Sequence, residues 1–326
     1  MRSKGQNWSV ELRRKRLGDL QRGDLHLRSR RALEEVAVLG INEVRLRPSA
    51  LALTPEAARQ TDHDADSAIP SRPLIGRLIA PRGLAMRLYL TALYETQVRQ
   101  RPGSAHTNDR PLWPPSSEDV GWIGLLAVTA TVSVRGRSEM DNRLRQVKSA
   151  IERLVREGAA MLPAGTRPRD KFEHFLLRND GGVQPGLPAE NRYITPRRNE
   201  GVDIPIEFYT NNWVHCLTDS EIALWLSLRL LAKEHPTAYR ESGIFMAEST
   251  RKRRFGLTRD AYEAHVALRR FGLIKGVNNE SRKLAGRDED LRKRGLVEPF
   301  RFVLEDRTLD DKATEVVDFA LRWAFT

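Results

Sequence analysis

Cysteine is nearly absent from this chain. Cys216 is the only one, which excludes an internal disulfide and a cysteine-rich zinc site. Its neighbours include Val214 and Leu217, so we expect a buried thiol in a protein of the reducing cytoplasm. No run of 18 apolar residues occurs, which argues against a membrane span, and the charged start of the chain lacks the apolar core of a secretory signal. These absences predict a cytoplasmic protein.

Motifs of common catalytic and nucleotide-binding sites are also absent. The sequence contains no G-x-x-x-x-G-K-[ST], no H-E-x-x-H and no G-x-S-x-G. Its seven histidines are scattered without a His-x-His pair, which argues against a metal centre. Residues 62–66 (DHDAD) are acidic, but the prolines and serines around them favour a spacer over a cation site. We therefore predict no enzyme, no cofactor and no metal, and leave open an enzyme whose site is split along the chain.

Acidic residues are too few to balance the basic ones. The 326 residues include 55 Lys and Arg against 43 Asp and Glu, a net charge of +12, and 45 of the basic residues are Arg. Arginine forms flat, bidentate contacts with phosphate and guanine that lysine does not form. A GC-rich genome also raises the arginine content, but it does not explain the excess of positive charge. The balance favours nucleic acid as the partner.

One layout of segments occurs twice along the chain. Residues 218–307 predict a helix, a basic stretch, a second helix and a basic loop between two short strands, and residues 79–179 predict the same order. The match is clearest at the corners, where LAMRLYLTAL (84–93) parallels EIALWLSLRL (221–230) and KFEHFLLRND (171–180) parallels PFRFVLEDR (299–307). Helix, helix, helix and β-wing is the layout of a winged-helix domain.

The third helix of the first copy has the clearest signals. It begins after Ser138, whose side-chain oxygen can accept the free N–H groups of the first turn. Apolar residues spaced four and three apart predict one buried stripe: Met140, Leu144, Val147, Ile151 and Leu154. Gly158 ends the helix. Before it, we predict a helix over 83–99 and a second helix that ends near Thr131.

The second copy begins with a stronger cap. Thr218 and Glu221 have the spacing of a capping box, and His235 with the proline after it ends the helix. Thr258 is predicted to cap the third helix, and Gly272 to stop it. Strands at 273–277 and 300–304 would flank the wing, and residues 306–326 would form a terminal helix.

These boundaries give four parts and one fold class. Residues 1–73 would be a basic arm and linker, with RRKR at 13–16, and residues 74–180 the first winged-helix domain. Residues 181–201, rich in Gly and Pro, would be a linker before the second winged-helix domain with its terminal helix, 202–326. The predicted fold is mostly α with small β-wings, an α+β protein with two tandem winged helix-turn-helix domains.

The third helix of such a fold enters the major groove, so side chains opposite its buried stripe read bases. In the first copy these are Asn142, Arg145, Gln146, Ser149 and Arg153. In the second copy they are Arg259, Tyr262, Glu263, Val266 and Arg270. Arg, Asn and Gln pair with guanine and adenine edges, and Glu accepts from cytosine. The competing interpretation is an ordinary solvated polar face, which most soluble helices have.

Charges beside the third helices predict phosphate contacts. Residues 251–294 hold 14 basic and 6 acidic residues. We expect backbone contacts from the run before the helix and from the wing: Arg251, Lys252, Arg253, Arg254, Lys283, Arg287, Lys293 and Arg294. In the first copy the corresponding loop carries Arg167 and Arg169. A solvated charged loop is again the alternative.

Over about residues 74–305 the tandem layout resembles the replication initiators of plasmids and mobile elements, and it is similar to two-domain transcriptional regulators. The resemblance implies sequence-specific binding of double-stranded DNA in a nucleoid-associated protein. It implies that the second copy makes the main contacts, through Arg259, Tyr262, Glu263 and Arg270. The first copy would contact further DNA or pair two chains into a homodimer.

Two other partners are compatible with the sequence. Tandem winged helices also serve as scaffold subunits of chromosome- or DNA-associated complexes, in which DNA binding is weak and unspecific. An RNA-binding protein would use the arginine-rich start of the chain, but few aromatic residues lie among those arginines to stack on bases.

Overall fold

The computed structural model describes residues 4–60, 72–80, 83–114, 119–129, 138–163, 170–180, 191–277 and 300–322. The protein is mostly helical with small antiparallel sheets, which confirms the predicted α+β class. Across the described ranges, no helix combines the length and the apolar character that a bilayer crossing needs.

The helices and strands follow one another in an irregular order. The α-helices are α1 (Lys4–Gln21), α2 (Leu25–Glu35), α3 (Pro48–Leu51), α4 (Pro55–Gln60), α5 (Leu74–Leu78), α6 (Ala85–Arg99), α7 (Trp122–Leu125), α8 (Glu139–Arg156), α9 (Glu207–Thr210), α10 (Trp213–Cys216), α11 (Asp219–Glu234), α12 (Pro236–Ser242), α13 (Arg259–Glu263), α14 (His265–Arg270) and α15 (Ala313–Arg322). The strands are β1 (Glu43–Leu46), β2 (Ala160–Met161), β3 (Leu176–Leu177), β4 (Val202–Pro205), β5 (Ile244–Phe245), β6 (Ile274–Gly276) and β7 (Arg301–Leu304).

The segment that we predicted as a basic arm packs into the hydrophobic core. Leu20 of α1 and Leu33 of α2 are buried, and β1 pairs with β4 so that Val44 lies opposite Ile204. This corrects the expectation of a free arm. The many charged residues of this segment obscured its few apolar ones. These apolar residues lie on the inner faces of α1 and α2, and they form a buried surface only when both helices are packed on the core.

The described part of the predicted second linker is also packed. Ile194 forms a β-bridge with Ala105, and Arg192 forms one with Arg178. The Tyr193 side chain is buried and its hydroxyl accepts a hydrogen bond from Gln97 at 2.8 Å. Residues 61–71 of the first predicted linker lie outside the described residues.

In the first repeat, α6 and α8 pack together beside the β2–β3 pair. The Ser138 hydroxyl accepts from the backbone N–H of Asp141 at 3.1 Å, which confirms the predicted cap. Gly158 has a φ of 74°, the left-handed conformation that suits the end of a helix. The predicted stripe is buried at Val147, Ile151 and Leu154 and half-buried at its start. The second helix is only the short α7, and residues 130–137 lie outside the described residues.

In the second repeat, α11 lies at the centre of the core. The Thr218–Glu221 capping box is present, and α12 begins directly after His235. Almost every position along α11 is buried, as expected of a helix that is apolar around most of its surface. The chain then runs through β5, a π-helical turn at Thr250–Arg254, α13 and α14, β6 and β7.

The three strands of the second repeat form one antiparallel sheet in the order β5-β7-β6. Ile244 pairs with Phe302, and Ile274 pairs with Leu304. Both wing strands therefore fall inside their predicted ranges. The terminal helix α15 begins at Ala313 and not at the predicted Asp306, because Asp306–Asp310 forms a 3-10 turn, and α15 packs on α1.

The two repeats share one core, and the N-terminal helix ties them together. Arg13 forms a bidentate ion pair with Glu221 at the start of α11, one bond measuring 3.1 Å. Arg14 donates to the carbonyl of Leu321 at 3.0 Å. A further close contact joins Gly76 of α5 to Phe255, where an added Cβ would lie 2.9 Å from the Phe255 carbonyl oxygen.

Candidate nucleic-acid interface

The third helix of the second repeat is divided into two short helices. The Thr258 side chain caps α13, as predicted, by accepting from the N–H of Ala261 at 3.2 Å. The N–H of Ala264 then bonds to Ala261, three residues back, and this interrupts the α-helical ladder. His265 begins α14, with its Nδ1 atom 2.8 Å from the carbonyl of Tyr262. The predicted single helix is therefore a kinked pair.

Most of the predicted base-reading side chains of this pair project into solvent. The Arg259 side chain is 85% exposed and lies 3.6 Å from Glu263, which is itself 62% exposed. Val266 and Arg270 are also exposed. Tyr262 differs, because its half-buried ring packs beside His265, and the Arg251 guanidinium lies 5.8 Å from the ring centroid.

The basic run before α13 divides into inward and outward side chains. Arg251 is buried and donates to the carbonyl of Leu257 at 2.8 Å, so the expected phosphate contact does not fit its position. Arg254 is held by Glu234 at 2.8 Å. Lys252 and Arg253 are exposed. The sequence alone could not show which of these four basic residues point inward, because their orientation depends on the turn that they form.

The predicted wing contacts fall on residues outside the described ranges. The side chains of Lys283, Arg287, Lys293 and Arg294 lie outside the described residues, and so do those of Arg167 and Arg169 in the first repeat. The bases of the second wing are described, and there Lys275 pairs with Glu305 at 2.8 Å.

The predicted reading face of α8 is partly withdrawn from the surface. Asn142 is buried, which corrects its assignment as a base contact. Gln146 donates to the carbonyl of Thr129 at 2.9 Å, and the half-buried Arg153 donates to the carbonyl of Arg77 at 2.8 Å. Arg145 and Ser149 are exposed.

This face of α8 forms one wall of a cleft of about 620 Å³. Its other walls come from α1, from the start of α6 with the residues just before it, and from Val128 and Thr129 after α7. Its positive charge comes from five arginines: Arg16, Arg87, Arg145, Arg153 and Arg156. Glu152 is the acidic residue among the described side chains that line it. We name this site the arginine cleft.

The floor of the arginine cleft holds enclosed positive charge. Arg16 donates to the carbonyl of His215, and the Nε atoms of Arg16 and Arg87 are buried without a hydrogen-bond partner. Burial, together with the charge of Arg87, lowers the pKa of Arg16 to about 9. Burial also lowers the pKa of Arg87. Two cations are thus crowded at the floor.

One carboxylate lies close behind this floor. Asp219 accepts from the N–H of Ala80 at 3.1 Å, and burial raises its pKa although Arg87 and Arg16 act in the opposite direction. A single carboxyl group does not neutralise two enclosed guanidinium groups. The site therefore has an excess of positive charge and is suited to an anion.

Sequence reasoning missed three members of the arginine cleft. Arg16 belongs to the run that we assigned to an arm, and Arg156 lies in the last turn of α8, beyond the face that we considered. Arg87 carried a usable signal, since it is a lone charge in the apolar segment 84–93. A single cation in a buried helix needs a partner or a function.

The described residues hold no group of three or more His, Cys, Asp or Glu side chains arranged to bind a metal ion. Cys216 is buried, as predicted, and burial raises the pKa of its thiol to about 11.

Comparison of the chain with models of protein families, with curated proteins and with solved structures found no match.

Proposed function

We propose that this chain is a sequence-specific double-stranded DNA-binding protein with two winged-helix units, acting as a transcriptional regulator or as the replication initiator of a plasmid or mobile element. The sheet order β5-β7-β6 carries the proposal. In a winged helix the strand after the first helix pairs with the last strand, which also pairs with the strand after the third helix. The second repeat has this order, with α11 as first helix and α13–α14 as third.

The first repeat supports the proposal through the same succession of elements. α6, α7 and α8 precede the antiparallel β2–β3 pair, as the three helices precede the wing in the second repeat. Its short strands do not form the full three-stranded sheet within the described residues. The second repeat is therefore the better candidate for the main DNA contact.

Side-chain exposure and charge support the same assignment. Arg259 is the first residue of α13 and Arg270 the last of α14, and the exposed Val266 lies between them. Exposed arginines of this kind contact guanine edges, and a valine can contact a thymine methyl group. Lys252, which pairs with Glu248, and Arg253 are exposed just before α13 and add positive charge there, and contacts of such charges with backbone phosphates add affinity without sequence preference.

The proposal is tested by selecting bound duplexes from a random library with the full chain. We expect one enriched motif, with affinity that falls steeply as salt rises. The double variant Arg259→Glu/Arg270→Glu should lose the motif. The matched control, Arg101→Glu/Arg322→Glu, changes the charge equally at exposed arginines away from the α13–α14 pair and should retain it. The absence of an enriched motif with the unaltered chain would overturn sequence-specific binding.

The second candidate is a scaffold subunit of a DNA-associated complex. It is favoured by the kink at Ala264 and by the Arg259–Glu263 pair, which offsets positive charge on the surface that would read bases. A scaffold would bind duplexes weakly, without an enriched motif, and the Arg259→Glu/Arg270→Glu variant would bind nearly as well as the unaltered chain. Where a motif is enriched, its position at a promoter or as repeats at an origin distinguishes regulator from initiator.

A further inference from the structure

The arginine cleft concentrates positive charge that Asp219 and Glu152 compensate only in part. Within the described residues, Arg87, Arg145 and Arg156 form no ion pair, and Arg153 bonds only to a backbone carbonyl. Glu152 is exposed on the rim. Like charges that are enclosed together cost folding free energy unless an anion binds between them. The cleft therefore has the electrostatics of an anion-binding site.

The shape of the cleft favours a small anion over a DNA duplex. Its volume of about 620 Å³ lies within the range of small-molecule sites, about 300–1,000 Å³. Arg16 and Arg87 are half-buried at its floor, below the exposed Arg145 on the rim. A duplex can contact the exposed Arg145, whereas a small ligand can also contact the half-buried Arg16 and Arg87.

The chemistry of the lining favours phosphate groups. Guanidinium groups bind phosphate oxygens through paired hydrogen bonds, which are stronger than bonds between neutral groups. Five arginines around one cleft exceed what a single phosphate needs. The described lining has no aromatic side chain on which a base could stack. The ligand should therefore be recognised by a run of phosphates rather than by a ring.

We propose that the arginine cleft binds a small polyphosphate, as a free ion or as the di- or triphosphate group of a nucleotide, with Arg16 and Arg87 at its inner end and Arg145, Arg153 and Arg156 along α8. The inference goes beyond DNA recognition by the second repeat and does not depend on it. The bound phosphates neutralise the repulsion between Arg16 and Arg87.

Binding in the cleft is coupled to the packing of the two repeats. Arg16 belongs to α1, and the same helix holds Glu221 of α11 through Arg13 and the carbonyl of Leu321 through Arg14. A ligand that draws Arg16 towards α8 stabilises the docked position of α1. Since ligand binds the folded state, the melting temperature of the whole chain should rise with ligand concentration.

The test is titration calorimetry and thermal unfolding of the full chain with sodium tripolyphosphate, at constant ionic strength. We expect saturable binding that is tighter than that of sulfate, and a rise in melting temperature. Arg87→Gln should weaken binding by about 10- to 100-fold, the effect of losing a hydrogen bond to a charged group. Arg145→Gln, at the exposed rim, should weaken binding without disturbing the core, which keeps the test valid if Arg87→Gln unfolds the chain.

Two controls separate this site from general attraction to a basic protein. Arg101→Gln and Arg259→Gln remove one exposed positive charge each, outside the cleft, and should leave tripolyphosphate binding unchanged. Equal weakening by all four variants, or binding no tighter than that of sulfate, would overturn the inference. So would binding that is lost only with Arg259→Gln. Adenosine triphosphate in place of tripolyphosphate, with equal affinity, would show that the phosphates alone are recognised.

The outcomes remain distinct from those of the DNA proposal. Arg145→Gln should leave the motif selected by the second repeat unchanged, and Arg259→Glu/Arg270→Glu should leave tripolyphosphate binding intact. Failure of duplex selection with intact tripolyphosphate binding would overturn the DNA proposal alone. The converse result would overturn the cleft alone.

Discussion

α8 and the α13–α14 pair hold the same position in the two repeats, yet they present different surfaces. α8 is one continuous helix of 18 residues, and its outer arginines face a cleft. α13 and α14 are short, and Arg259 and Arg270 project into solvent. The difference teaches that a helix's own side chains do not determine which of them are exposed, because its surroundings decide that as well.

The N-terminal helix contributes to this difference. α1 contributes Arg16 to the cleft beside α8, and in the second repeat its Arg13 pairs with Glu221 and lies 5.0 Å over the centroid of the Phe271 ring. The Arg13–Glu221 pair holds α1 in the position from which Arg16 reaches the cleft.

Loss of the Arg13–Glu221 pair should have the largest effect on stability. The two side chains are only 12% and 3% exposed, so Arg13→Met leaves a buried carboxylate without its partner. We expect the free energy of unfolding to fall by about 3–5 kcal/mol, measured by urea denaturation. The control Arg30→Met breaks an exposed pair with Glu34 and should cost no more than about 0.5 kcal/mol. Equal losses would contradict the role of α1 as a bridge.

Replacing leucines of the N-terminal segment distinguishes helices that are docked on the core from a free arm. Leu20 is 1% exposed, and Leu20→Ala should lower the free energy of unfolding by about 2–5 kcal/mol because it leaves a cavity in the core. Leu27, 39% exposed, is the matched control, and its replacement by Ala should cost less than about 1 kcal/mol. In a free arm both substitutions would leave the thermal unfolding curve unchanged.

The sequence predicted individual helix ends better than the relations between helices. The caps at Ser138, Thr218 and Thr258 depend on residues three apart in the chain, so local spacing was sufficient to find them. The arginine cleft depends on Arg16 and Arg87, which lie 71 positions apart, and no local pattern joins them. The burial of Asn142 and Arg251 likewise arises from tertiary packing, which a helical projection of one segment does not contain.

His215 should make acid conditions destabilising. Burial and the nearby Arg87 and Arg16 lower its pKa from the usual 6.5 to about 3. Between these values the unfolded chain binds a proton that the folded chain does not, so stability falls as pH drops below 6.5. The loss is about 1.4 kcal/mol per pH unit, or about 2 kcal/mol by pH 5.

The variant His215→Gln isolates this contribution. Its stability, measured by urea denaturation from pH 7 to pH 5, should decline less steeply than that of the unaltered chain. The buried Asp180, whose pKa is raised to about 6, contributes with the opposite sign in both proteins and cancels in the comparison. Parallel curves for the two proteins would show that His215 takes up its proton in the folded state as readily as in the unfolded one.

The two helix caps compare the repeats directly and should give the smallest effects. Thr218→Ala removes half of a capping box in a half-buried position, and we expect a cost of about 1–2 kcal/mol. Ser138→Ala removes an exposed cap and should cost about 0.5–1 kcal/mol. Thermal unfolding of both variants checks the order. A larger loss of stability for Ser138→Ala would contradict the expectation that the cap of the second repeat is the stronger one.

Hydrogen–deuterium exchange of the full chain most directly tests whether the repeats serve different ligands. Bound to its selected duplex, the chain should gain protection across 250–277, whereas tripolyphosphate should protect 83–99 and 139–156. The two protection patterns should therefore separate between the repeats. Duplex protection confined to α8, with α13 and α14 unchanged, would contradict the account.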